Sequence, residues 1–131
     1  MKRYQTAIHT NVKHFEIYDD VSSFDTSNVT TMHSMFSECN SLTTLDLSNF
    51  NTLKVTDMYG MFSGYGTTMA LNKIYVSDKF VTTNVTDSTN MFKDCNNLVG
   101  SNGTVFDSNN IDKTYARIDT SSTPGYFTLK V

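Results

Sequence analysis

Apolar positions in this chain return in a fixed phase. Phe24, Phe50, Phe80 and Phe106 are separated by 26, 30 and 26 residues, and each is followed five positions later by Val29, Val55, Val85 or Ile111. Three of the four segments stay in step, with Met32, Met58 and Ser88, then Met35, Met61 and Met91, then Phe36, Phe62 and Phe92. Self-similarity at a fixed period in this range signals a solenoid, in which each unit buries its apolar face against the next.

Two periodicities meet inside one unit. Val29, Met32, Met35, Phe36 and Cys39 recur at steps of three and four, the spacing of one helical face, and Asn28 or Thr30 is placed to cap the start. This half predicts a short helix, with Thr30, Thr56 and Thr86 as a ladder of caps. Leu42, Leu45 and Leu47 then follow the Leu-x-x-Leu-x-Leu spacing of a leucine-rich repeat, which predicts a short strand of a parallel sheet with alternate side chains inward. The expected fold is therefore α/β: a short right-handed leucine-rich-repeat solenoid with a parallel sheet on one face, short helices on the other, and atypical caps at both ends.

Departures from the pattern place the boundaries. The stretch 1–23 lacks the repeat, and Ala7, Ile8, Val12, Phe15 and Ile17 suit a hairpin covering the open apolar end. About three repeats fill 24–105. An insert carrying Gly64, Gly66, Thr67, Thr68 and Met69 enlarges the middle unit. Val76 stands four residues before Phe80 where Leu47 stands three before Phe50, which predicts a bulge or a longer turn. After Leu98 the run Gly100, Ser101, Asn102, Gly103 is too rich in glycine for a firm strand, and 106–131 reads as a degenerate repeat and closing cap within a single domain.

The strings FDTSNVTTMHSMFSECNSLTTLDLSNF and LSNFNTLKVTDMYGMFSG resemble the BspA-type bacterial surface protein repeat, and TYARIDTSSTPGYFT resembles the segment that closes such arrays. Lys54 in place of Asn, Tyr65 in place of Cys, Ser88 in place of the second Met, and the insert depart from that pattern. The resemblance implies an extracellular, non-enzymatic protein of bacterial or phage origin whose array mediates adhesion. No apolar run in the chain is long enough for an export signal or a membrane span, so display on a phage virion is one expected route, and cell-surface display the other.

Composition narrows the choice of partners. With 13 acidic and 10 basic residues the net charge is −3, which gives no footprint for a nucleic acid backbone. Ser, Thr and Asn supply 47 of 131 residues, but 16 regularly spaced aromatics argue for order rather than disorder. Cys39 and Cys95 occupy equivalent positions two units apart. At about 4.8 Å per turn they should lie about 10 Å apart, beyond disulfide reach, as reduced core residues.

Catalytic and metal chemistry find little support. His9, His14 and His33 form no pair with zinc-site spacing, and Asp46, Asp57, Asp87, Asp107 and Asp112 match no calcium repeat. The sequons at Asn28, Asn84 and Asn102 are largely restatements of the repeat. No residues assemble a nucleophile, a base and an oxyanion stabiliser, and no cofactor motif is present. Neither a catalytic nor a metal site is expected, and no membrane insertion.

Surface recognition remains. The residues between the strand leucines should face outward, so Thr44, Asp46 and Ser48 would neighbour Lys73 and Tyr75 on the next strand. Tyr75 is the foremost candidate, since tyrosine supplies contact area and a hydroxyl at low entropic cost. Tyr59 and Tyr65, beside the insert, come second. The expected partner is a protein or glycan surface, and the alternative is self-association as a structural component of a larger particle.

Overall fold

A computed structural model describes residues 21–22 and 24–130 of the chain, so the hairpin expected over 1–18 lies outside the described residues. Three short strands form one parallel sheet: β1 (Thr44–Leu47), β2 (Lys73–Val76) and β3 (Phe127–Leu129), in that order. Leu45 and Leu47 of β1 and Ile74 and Val76 of β2 are buried while Thr44 and Asp46 stay exposed, so the period-two alternation forms a strand with one dry face. The extra residue before Phe80 does not bulge β2. It lies in the connection, where Phe80 N–H bonds to Ser77 C=O, whereas the matching bond from Phe50 reaches Leu47, the last residue of β1.

The other half of each unit overturns the expected fold class. No α-helix occurs among the described residues, which are mostly turns and irregular backbone with a single 3-10 turn at Lys113–Tyr115. The chain is not a solenoid with helices on one face. Alternate amides take different directions: Met35, Ser37 and Cys39 bond back to Met32, Ser34 and Phe36, whereas Met32, Ser34, Phe36 and Glu38 bond to the carbonyls of Asp57, Tyr59, Met61 and Ser63 in the next unit. Met58, Gly60, Phe62 and Gly64 repeat this toward Asp87, Thr89, Met91 and Lys93.

A helix needs every interior amide aligned along its own axis, and a segment that sends half of them to a neighbour cannot be one. The departure is marked by left-handed residues at matching positions, Ser34 (φ 53°), Gly60 (φ 57°) and Asn90 (φ 58°), with Glu38 and Asp94 four residues beyond the first and last. An L-residue in that conformation costs about 1–2 kcal/mol, so these positions persist because the inter-unit ladder fixes them. Thr30, Thr56 and Thr86 belong to the same ladder. The Thr56 hydroxyl donates to Thr30 C=O and that of Thr86 to Thr56 C=O, both at 3.2 Å, so they tie units together rather than capping helices.

Inside, the repeated side chains stack. Phe36, Phe62 and Phe92 lie nearly parallel at 5.9 and 5.4 Å, and the row ends where Tyr126 and Phe127 meet Phe92 edge-on. Val29, Val55 and Val85, the methionines at 32, 35, 58, 61 and 91, and both cysteines are buried around it, and the cysteines are unbridged. The glycine-rich stretch after Leu98 is no strand of the sheet. Val99 instead bridges antiparallel to Val105, and β3 from the C-terminal segment takes the third place in the sheet.

Candidate functional site

The outward face of the sheet is built by register. Thr44 pairs with Lys73, Asp46 with Tyr75, and Tyr75 in turn with Thr128, so Asp46, Tyr75 and Thr128 form one row across three strands. Lys130 follows β3 directly, and its backbone N–H is held by Val76 C=O at 2.9 Å. Its side chain crosses the sheet: the ammonium lies 5.3 Å from the centre of the Tyr75 ring and 3.1 Å from Asp46 Oδ2. A cation over an aromatic face and beside a carboxylate is attracted by both.

Asp46 is oriented from its own strand end, where Ser48 N–H donates to Oδ1 at 2.9 Å. Partial burial raises its carboxyl pKa, but the hydrogen bonds from Ser48 and the Lys130 ammonium outweigh this and hold it below the ordinary range. Lys73 turns away from the row, and its ammonium points to the carbonyls of Val99 at 3.3 Å and Gly100 at 3.5 Å. Thr128 Oγ1 is shielded from water, and among the described residues it is the one buried side-chain polar atom without a hydrogen-bond partner.

Thus five residues expected on this face, Thr44, Asp46, Ser48, Lys73 and Tyr75, lie on β1, on β2 or immediately after β1. Tyr59 and Tyr65 are engaged elsewhere. Tyr59 stacks on His33 at 4.8 Å, and His33 Nδ1 lies 3.1 Å from Asp57 Oδ2. The Tyr65 hydroxyl lies 2.6 Å from Ser34 Oγ. Lys130 and Thr128 escape sequence reasoning because the segment carrying them departs from the repeat. The signal available was the short alternation Phe127, Thr128, Leu129, Lys130, which suits a third strand with Thr128 and Lys130 outward.

Elsewhere the chemistry is structural. Burial, with the neighbouring Asp94 carboxylate, pushes the Cys95 thiol far above its ordinary pKa, and the thiol donates to Phe62 C=O, which disfavours the nucleophilic thiolate. No group of three or more His, Cys, Asp or Glu side chains among the described residues could hold a metal ion. A recess of about 260 Å³ is lined by Lys93, Asp94, Asn96, Phe106, Ser108 and Ile111, where Asp94 Oδ2 already accepts from Gly66 N–H at 2.6 Å. No helix among the described residues is long and apolar enough to cross a membrane.

Residues 5–123 match a family described as Mycoplasma protein of unknown function, DUF285. That match spans most of the sequence, and the chain belongs to this family. No curated protein and no solved structure matches it.

Proposed function

We propose that this DUF285 chain is a non-enzymatic recognition module that binds a protein or glycan surface through the outward face of its parallel sheet. The observation that carries the reading is the row Asp46 and Tyr75 spanned by Lys130, which sets an acid, an aromatic ring and a cation side by side on the sheet. The resemblance of the repeats to BspA-type surface proteins points the same way and suggests display at a cell or virion surface. Tyrosine at the centre of a patch, rimmed by charges, is the composition of a binding hot spot.

Binding of the purified chain to host cells and to a glycan array tests this directly. Tyr75→Ala is expected to weaken the interaction about 30-fold, the effect of removing a residue worth about 2 kcal/mol. Unchanged binding in a Tyr75→Ala, Asp46→Ala double variant would remove the sheet face from consideration.

A further inference from the structure

Resting on the reading of the sheet face as a recognition surface, we propose that this site accepts an arginine side chain of a protein partner, with Lys130 as its internal stand-in. The molecule already places an ammonium there: Lys130 Nζ sits 3.1 Å from Asp46 Oδ2 and 5.3 Å from the Tyr75 ring centre. Both side chains of that ion pair are about half exposed, at 48% and 47%, so water and salt screen it and its hold is weak. The main chain of Lys130 is fixed to Val76 C=O, which lets the side chain swing out while β3 stays in place.

A guanidinium fits this setting better than the resident ammonium. Its planar fork can bond a carboxylate with two N–H groups and stack on an aromatic ring at the same time, which a point charge cannot do. Ser48 N–H already fixes the rotation of the Asp46 carboxylate through Oδ1, leaving Oδ2 as the atom that Lys130 uses. Thr128 stands on the far side of Tyr75 from Asp46 with its hydroxyl oxygen shielded, so the Tyr75 ring and the Asp46 carboxylate are the groups a guanidinium would meet. Lys73 does not compete for them because its ammonium is turned to the Val99 and Gly100 carbonyls. The net charge of −3 also favours encounter with a basic partner.

The test titrates N-acetyl-arginine amide into protein labelled on its tyrosine rings, and follows the Tyr75 resonances by NMR, with the lysine and glutamate amides run alongside. The arginine amide is expected to bind more tightly than the lysine amide, and the glutamate amide to leave Tyr75 unmoved. Lys130→Ala removes the internal competitor and should tighten arginine binding about three- to tenfold. Lys130→Arg strengthens the competitor and should weaken it, and Asp46→Asn should abolish it. Arginine affinity that is unchanged or lower in Lys130→Ala, or tighter binding of the glutamate amide, overturns the proposal. Should Tyr75 ignore the arginine amide while Tyr75→Ala still weakens binding to cells or glycans, the arginine assignment fails and the recognition reading stands.

Discussion

Tyr65 shows how one residue remakes its surroundings. It stands three positions after Phe62, where the flanking units carry buried Cys39 and Cys95 after Phe36 and Phe92, yet it is exposed and left-handed at φ 46°. Its hydroxyl reaches Ser34 across the place where a side chain at Gly60 would stand. Gly60→Ala should therefore cost about 2 kcal/mol in urea denaturation, from overlap with the Tyr65 hydroxyl and from the left-handed backbone. Adding Tyr65→Phe should restore only the overlap part. Asp119 supplies a second single-residue effect. Burial raises its pKa, but donors from Thr104, Gly125 and Asn102 prevail and hold the carboxyl low. A pKa lower in the folded than in the unfolded chain stabilises fully above about pH 4 and is lost as the pH falls through the folded value. Asp119→Asn should lower stability at pH 7 by about 2 kcal/mol and flatten the acid limb of a stability-against-pH curve.

At the scale of elements, strands and turns differ in how they are held, and in how well the sequence foretold them. Strands β1 and β2 were legible because Leu45, Leu47, Ile74 and Val76 alternate with polar residues, and only a strand turns such alternation into one dry face. The turn segments were not, because steps of three and four at Met32, Met35, Phe36 and Cys39 suit a helix and an inter-unit ladder equally well. What separated the two was Ser34, Gly60 and Asn90 at one recurring slot, a set with weak helix preference in which Gly and Asn tolerate the left-handed region. Threonine strengthens the joins between units. Thr52 is buried, and its hydroxyl donates to Val81 C=O at 2.6 Å while accepting from Val81 N–H at 2.7 Å. Thr26 makes the same pair of bonds with Asn51. Thr52→Val keeps the shape and loses both bonds, so the denaturation midpoint should fall by the equivalent of about 2 kcal/mol with the slope unchanged.

Across the whole molecule, bonds that join units link residues far apart in sequence, among them pairs 24, 25, 29, 31 and 33 positions apart, and no α-helix supplies a local nucleus within the repeats. Such long closures slow folding, so stopped-flow refolding should fall in the range of milliseconds to seconds, slower than for a helical bundle of this size. The alternating amides carry one further consequence. The second unit receives N–H groups from the first and offers N–H groups of the same spacing to the third, so these two joints share one pattern. The insert obeys the same grammar, since Gly64 N–H and Met69 N–H, at its two ends, still meet Lys93 and Asp94 C=O. A gene that duplicated one 26-residue segment would lengthen this protein without redrawing any existing joint, so extent and surface can diversify while the architecture stays constant.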